Sequence, residues 1–304
     1  MNHKKVNWAF LGMVVLHFAA VAVLDAVSGF HTPGIAESVI LSELLLVIPA
    51  VIVLIISHEN WKEFLAFRGM KFLSVLMVLL YTFLMMPLAT LLNAVSMLFV
   101  DNAVGAISGE VMELPFLISF FLIAIWGPVC EEFVFRGVIC RGYQKDGSLT
   151  GSILMSSLLF GLIHMNFNQA PYAFGLGIAM ALVMEASGTI LAPMLMHVVF
   201  NGQSVIQMYA MEHFVPGMLE EQMQMEFGMD EMAIVISIYA VLALICTVLA
   251  ICVLVWICKN EKREDYLLWL HSQRGKQKQI WSIPVVIGIA VCLGYMVWMA
   301  VLQQ

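Results

Sequence analysis

Long runs of apolar residues alternate with short charged or turn-forming segments along most of the chain. The longest run reads MAIVISIYAVLALICTVLAICVLVWIC, residues 232–258. It exceeds the ~20 residues that a helix needs to cross the hydrocarbon core of a bilayer. A membrane β-barrel would show segments of about ten residues that alternate between apolar and polar positions, and this sequence does not. The pattern therefore predicts an all-α, polytopic membrane helix bundle.

The apolar runs also predict how many helices cross the membrane. Nine runs are bounded by charged or turn residues, at 6–28, 38–57, 72–96, 114–137, 151–168, 172–188, 191–210, 232–257 and 281–302. Nine spans is the preferred number and eight is the alternative. The first run resembles a secretory signal, but its length favours an uncleaved span. No fixed-period repeat and no Pro/Ser-rich linker divides the chain, so we expect a single membrane domain over residues 1–304.

The cationic residues predict the orientation of this bundle. With nine spans and a cytoplasmic N-terminus, all 14 Lys and Arg fall in segments on one side of the membrane. The groups are Lys4 and Lys5; Lys62, Arg68 and Lys71; Arg136, Arg141 and Lys145; and six residues between 259 and 278. Cytoplasmic segments of membrane proteins carry such an excess of positive charge. We therefore expect a multi-pass protein of the plasma membrane with its N-terminus in the cytoplasm.

Composition supports the membrane assignment and excludes other classes. The chain is 62% hydrophobic and 12% charged, whereas soluble domains are about 45–50% apolar and about 25% charged. Its net charge of −7 reflects acidic outer loops and gives no indication of nucleic-acid binding. The apolar composition makes the lipid bilayer an expected partner. The six cysteines show no CxxC spacing and predict neither a disulfide framework nor a thiolate metal site.

Three polar segments between the spans have simple structural interpretations. Residues 58–71 mix aromatic and charged side chains, which is typical of a short helix lying on the cytoplasmic surface. The segment 211–232 is rich in Met and acid; an amphipathic turn on the outer rim is favoured over a lid, a substrate-docking surface or a soft-metal site. The basic segment 259–278 is interpreted as an orientation signal that contacts anionic lipid.

Charged groups inside an apolar span are costly and by default indicate a functional site. In CEEFVFRG, residues 130–137, Glu132 and Arg136 are four residues apart and form a favourable pair on one helix face. Glu131 is turned about 100° away from Glu132, so its carboxylate faces something else. We interpret the other intramembrane polar residues as buried structural or helix-terminal contacts; these are His17, Asp25, Glu43 and Glu185.

Two further motifs place polar side chains in apolar helices. FGLIH puts Phe160 and His164 on one face of a helix, and HVVFN does the same for His197 and Asn201. Glu131 precedes the turn centred near 147–148 by as many residues as His164 follows it, so antiparallel helices would hold the two side chains at the same depth. Arg136 and Arg141 suggest that the helix bearing Glu131 leaves the hydrocarbon soon after this residue. The polar groups of the three motifs can therefore meet about 10 Å below the inner surface.

A buried glutamate with two histidines and an asparagine suits hydrolysis by an activated water. Burial and neighbouring groups can tune a carboxyl group to act as a general base, while His and Asn side chains can donate to the oxyanion of a tetrahedral intermediate. The sequence contains neither the HExxH zinc signature nor a GxSxG nucleophile elbow.

The three motifs together resemble those of a known protease family. EEFVFRG, FGLIH and HVVFN match, in order, the EExxxR, FxxxH and HxxxN motifs of the CAAX prenyl protease and bacteriocin-processing family of intramembrane proteases. The resemblance covers about residues 120–205 and puts the core protease motifs within about 114–210.

This resemblance implies a role for each matched residue. Glu131 would activate the attacking water with help from His164, and His197 and Asn201 would line the oxyanion side. The supporting residues would be Glu132, Arg136 and Phe160. The cofactor stays open, because Glu131, His164 and His197 can hold zinc and the family also includes members treated as metal-independent glutamate proteases.

The leading hypothesis is an intramembrane endopeptidase, a hydrolase of the type II CAAX endopeptidase kind. It would cut a membrane-associated peptide or protein near the cytoplasmic leaflet. One alternative is a proton-coupled transporter that uses the same carboxylate and histidines as a relay. Another is a non-enzymatic bacteriocin-immunity or binding protein of the same fold, and a third makes the polar cluster an interhelical lock.

Overall fold

The chain folds into a bundle of helices joined by turns. The computed structural model describes residues 1–29, 32–215, 228–266, 268 and 280–302, and no strand occurs among them. The helices are α1 His3–Val27, α2 Ile35–Ile56, α3 Trp61–Phe64, α4 Phe72–Ser96, α5 Ala103–Met112, α6 Phe116–Gln144, α7 Leu149–Ile163, α8 Gln169–Ser187, α9 Leu191–Phe214, α10 Met229–Asn260 and α11 Ile283–Leu302. The predicted all-α class is confirmed.

Seven of these helices are long and apolar enough to cross a membrane, namely α1, α2, α4, α6, α8, α10 and α11. The polytopic bundle is therefore confirmed, whereas the predicted number of nine or eight spans is not. Each of the nine predicted runs does contain a helix, but two fall outside the seven. Helix α7 has only 15 residues, and His197, Asn201 and Gln203 interrupt the apolar run of α9.

The helices that carry the three motifs form the interior of the bundle. Helix α6 packs against α2, α7 and α9, and α8 packs against α4, α7 and α9. Burial follows this arrangement. Within an apolar stretch of 18 residues in each helix, 61% is buried in α8 and 44% in α6, against 17% in α1 and 22% in α11. The peripheral helices accordingly present large apolar side chains outward, as expected for surfaces that face lipid.

Helix α6 is not a regular α-helix. Two π-helical segments, Phe120–Trp126 and Phe133–Cys140, flank a short α-helical stretch, Gly127–Glu132. Segments of π-helix are rare and occur frequently at functional sites, where the wider turn re-aims side chains. Here the α-helical stretch between them carries both glutamates of the first motif.

Helix α7 ends earlier than the sequence suggested. The predicted run extends to residue 168, but the helix stops at Ile163 and His164 caps it. Met165 then takes a positive φ of 53°, a left-handed conformation that an α-helix cannot continue. The expectation that His164 lies inside an apolar helix was therefore wrong, because the side chain sits at a helix end.

Contacts at the C-terminal end of α6 fix it to the segment between α2 and α4. The guanidinium of Arg141 donates to the Phe64 carbonyl, and the ammonium of Lys145 bonds to Glu59. This hydrogen bond from Lys145 holds the pKa of Glu59 below its ordinary value. The predicted surface helix is present but has only four residues, Trp61–Phe64. These contacts tie the C-terminal end of α6 to the segment between α2 and α4.

Several predictions made for the loops reach beyond the described part of the chain. Within the acidic Met-rich segment 211–232, residues 216–227 lie outside the described residues. The same holds for 267 and 269–279 in the basic segment 259–278. All six cysteines lie within the described residues and are free thiols.

Candidate active site

Side chains from three helices meet at one carboxylate. Glu131 on α6 lies with its Oε1 3.9 Å from Nε2 of His164, at the end of α7. Its Oε2 lies 3.5 Å from Nε2 of His197 on α9. The sequence placed Glu131 and His164 at the same depth, and the structure brings them together with His197. These distances are too long for direct hydrogen bonds, so a small molecule such as water can bond to all three groups.

The other ring nitrogen of each histidine fixes the position of its proton. Nδ1 of His164 lies 2.8 Å from the Phe160 carbonyl oxygen, which can only accept, so this nitrogen donates. Nδ1 of His197 lies 3.0 Å from Oε1 of Glu132, and we assign the same role to it. With Nδ1 assigned as the donor, Nε2 of each ring faces Glu131.

Glu132 and Arg136 form the ion pair that their spacing predicted. Nη1 of Arg136 donates to Oε1 of Glu132 over 2.8 Å, and both side chains are fully buried. The same carboxylate oxygen therefore accepts from both Arg136 and His197. A carboxylate that bonds a histidine nitrogen in this way orients the ring.

Phe160 packs beside this pair and between the two histidines. Its ring centre lies 4.3 Å from the Arg136 guanidinium carbon, within cation–π distance. Its ring meets His164 and His197 edge to face, with centroid separations of 5.0 Å and 5.9 Å. The aromatic ring thus packs against both imidazole rings and occupies the space between them.

The burial of Arg136 changes the interpretation of this cation. The sequence argument used this residue as a cation near the membrane surface that marks the end of the helix. Instead Arg136 is fully buried and α6 continues to Gln144. At 1.5 Å per residue, Glu131 lies about 20 Å along the helix axis from Gln144. Positive charge at 136 therefore belongs to the interior and contributes nothing to the orientation rule.

The Arg136 guanidinium depends on a glycine in the neighbouring helix. A Cβ on Gly177 of α8 would lie 2.9 Å from Cβ of Ser157 and 3.2 Å from Nη2 of Arg136. Both contacts are tighter than packed carbon and nitrogen atoms tolerate, and both neighbours are fully buried. Glycine at 177 therefore lets α8 approach α7 and the ion pair closely.

We expect Gly177→Ala to destabilise the bundle by about 1–3 kcal/mol, the usual cost of overpacking a core. The measurement is the thermal or denaturant unfolding of the purified protein in detergent. Gly294→Ala is the matched control, because no atom lies within 4 Å of a Cβ at this helical position. Equal stability of the two variants would show that the close approach at Gly177 is not needed.

Asn201 lies one turn beyond His197 on α9. Its Nδ2 donates to the carbonyl of Ile123 over 3.1 Å, within the first π-helical segment of α6. An amide NH₂ group has two hydrogens, so one N–H remains for a substrate oxygen. The sequence predicted the residue as part of the site, and this hydrogen bond links its position to the irregular backbone of α6.

The donor set does not form a metal site in the described part of the chain. No group of three or more His, Cys, Asp or Glu side chains there is placed to hold a metal ion. Glu131, His164 and His197 were the candidate zinc ligands.

Glu43 on α2 is a neighbour of this site that the sequence argument interpreted as structural. It is 8% exposed, and its Oε1 lies 3.6 Å from where a Cβ on Gly127 would be. Gly127 precedes Glu131 by one turn of the same α-helical stretch. The available signal was a carboxylate in the middle of an apolar run, ILSELLLVI.

Comparison with known proteins covers the segment that holds all three motifs. The profile of the family described as type II CAAX prenyl endopeptidase Rce1-like matches residues 113–203. A curated relative, the membrane-embedded CAAX protease MroQ of Staphylococcus aureus (strain USA300), is 34% identical over 95 residues. These matches confirm the predicted resemblance to the CAAX prenyl protease and bacteriocin-processing family over the segment that holds the motifs.

The extent of these similarities limits what they carry. The alignment with the staphylococcal protease covers 29% of this chain and 38% of that relative. No solved structure matches the chain. Helices α1–α5, α10 and α11 lie outside the matched residues, and the similarity is therefore one of the motif-bearing interior.

Proposed function

We propose that this protein is an intramembrane endopeptidase that hydrolyses a peptide bond of a membrane-associated peptide or protein. The observation that carries the proposal is the convergence of two imidazole nitrogens on the carboxylate of Glu131 inside an apolar bundle. The staphylococcal relative is named as a CAAX protease, which supports the same chemistry here. The N-terminus on the cytoplasmic side and cleavage near the cytoplasmic leaflet are further parts of this proposal.

Glu131 acts as the general base in the proposed reaction. A water molecule between Glu131 and the two Nε2 atoms loses a proton to Glu131 while its oxygen attacks the scissile carbonyl carbon. The lone pair on Nε2 of His164 accepts the hydrogen that the water retains. Glu131 then returns the proton to the leaving nitrogen as the carbon–nitrogen bond breaks, so a carboxylic acid and an amine are released, and the acid loses its proton to water.

An amide donor on α9 stabilises the negative oxygen of the tetrahedral intermediate. Asn201 donates from the N–H that is not bonded to Ile123. His197 lies one turn before Asn201 and lines the same side, where the Glu132 carboxylate holds its ring through Nδ1. Donors that are already in place where charge develops are typically the largest electrostatic contribution to such reactions.

The two histidines give the first test of the proposal. We expect His164→Ala and His197→Ala to lower kcat/KM by about 100-fold or more, because each removes a group that bonds the water or the oxyanion. The measurement is cleavage of a library of tagged transmembrane peptides by protein reconstituted in liposomes, read by mass spectrometry.

His17→Ala is the matched control for this experiment. His17 lies on α1, where its ring contacts Phe18, and its loss should leave cleavage unchanged. Folding of every variant is checked by its unfolding temperature. Wild-type protein that cleaves no peptide, or folded His164 and His197 variants that cleave at the wild-type rate, would contradict the proposed function.

A further inference from the structure

Glu43 is a buried carboxylate that the matched motifs do not include. It lies on α2, outside residues 113–203, and only 8% of it is exposed. Its Oε2 is buried and has no hydrogen-bond partner in the described part of the chain. A buried polar atom left without a partner costs free energy, so a role in folding alone does not account for it.

Helix geometry places this carboxylate one turn from Glu131. Its Oε1 faces Gly127, and Gly127 and Glu131 lie on the same face of α6, four residues apart.

The glycine at 127 makes this approach possible. A side chain there would start 3.6 Å from Oε1 of Glu43 and 4.0 Å from its carboxyl carbon. Any larger residue would therefore extend into the space occupied by the carboxylate. The absence of a side chain leaves the Glu43 carboxylate next to the α6 backbone, one turn from Glu131.

The groups around Glu131 are mainly acceptors of hydrogen bonds. The two Glu131 oxygens, the lone pairs of both Nε2 atoms and the free oxygen of Glu43 all need hydrogens from another molecule. Water suits such a set, because it donates two hydrogens and keeps a lone pair for attack.

We propose that Glu43 is a water-positioning residue of the active site. A water molecule that donates one hydrogen to Glu131 and the other toward Glu43 has its lone pair directed at the substrate carbonyl. The proton passes to Glu131 when the oxygen–carbon bond forms, and Glu43 accepts a hydrogen bond without itself taking a proton. Glu43 and His164 then hold the retained hydrogen from two sides. This inference rests on the proposed function.

The test separates catalysis from stability in three Glu43 variants. In liposomes, with the peptide that wild type cleaves fastest, Glu43→Leu and Glu43→Ala should lower kcat by about 10- to 100-fold, because a misplaced water reacts slowly. KM should change less than about twofold, since substrate binding does not use this hydrogen bond. Glu43→Gln keeps an acceptor oxygen and should recover part of the lost kcat.

Stability should move in the opposite direction. Glu43→Leu removes a buried carboxylate with an unpartnered oxygen, so its unfolding temperature should equal or exceed that of wild type. Glu185→Gln is the matched control, because Glu185 is also buried, but its Oε1 accepts from Gln144 and its Oε2 pairs with Arg263 at 4.0 Å. This control should leave kcat unchanged.

The outcomes distinguish this inference from the proposed function. If Glu131→Gln is inactive but the Glu43 variants cleave at the wild-type kcat, the protease stands and the role of Glu43 is wrong. If Glu43→Leu loses both kcat and unfolding temperature, Glu43 is a structural contact and the inference is overturned. If wild type cleaves no peptide of the library, the proposed function fails and the role of Glu43 fails with it.

Discussion

Replacing Glu131 by glutamine is expected to lower peptide cleavage about a thousandfold or more while the protein stays folded. The amide has the size of the carboxyl group but cannot take a proton from water, so general-base catalysis is lost. Folding should survive because the nearest histidine nitrogens are 3.5 and 3.9 Å from Glu131, and no short hydrogen bond to them is broken. The measurement is single-turnover cleavage in liposomes, alongside the unfolding temperature.

A buried glutamate elsewhere in the bundle serves as the control for this variant. Glu185→Gln changes the same functional group on α8, where the carboxylate bonds Gln144, and should keep wild-type cleavage. Cleavage by folded Glu131→Gln at more than a tenth of the wild-type rate would remove Glu131 from the base role. Proton-coupled uptake into vesicles that is lost in the same variant would favour a transporter instead.

Replacing Arg136 by methionine is expected to lower the free energy of unfolding by about 3–5 kcal/mol, the cost of leaving one member of a buried ion pair uncompensated. The side chains of Arg136 and Glu132 are exposed to neither water nor lipid, because both are 0% solvent-accessible. The methionine fills a similar volume against Phe160 but cannot neutralise the carboxylate. The measurement is a denaturant titration of the purified protein in mixed micelles.

The double variant Arg136→Met, Glu132→Gln tests the cause of this loss. Removing the second charge leaves no uncompensated carboxylate, and most of the lost stability should return. The glutamine oxygen also still accepts from Nδ1 of His197, which keeps this ring oriented. A single Arg136→Met variant as stable as wild type, or a double variant no more stable than the single, would show that the pair does not hold the fold.

The sequence predicted the parts of the site that follow from regular helix geometry. The Glu132–Arg136 pair depends only on a separation of four residues on one helix, and it is present. The meeting of Glu131 with His164 depended on equal distances from a turn, and the two side chains do approach. The fold class followed from runs of apolar residues, which reflect the length a helix needs in a bilayer.

Other features depend on packing between helices and could not be predicted in this way. The π-helical segments of α6 keep the same composition as an ordinary apolar helix, so no local pattern distinguishes them. The end of α7 at Ile163 is set by the conformation at Met165 within a run that continues to look apolar. The approach of Glu43 depends on how α2 is rotated against α6, which periodicity along either helix does not encode.

The shortness of α7 has a consequence for turnover. Its 15 residues rise only about 22 Å, less than the ~30 Å hydrocarbon thickness. Irregular backbone at membrane depth persists only where protein or solvent satisfies it, and Asn166 bonds the His164 carbonyl there. Each peptide bond that the proposed protease cuts consumes one water molecule, so another water must reach Glu131 and His164 after every cycle. In the proposed protease a thinner bilayer would shorten the path of water to His164, so we expect faster cleavage in lipids with shorter chains.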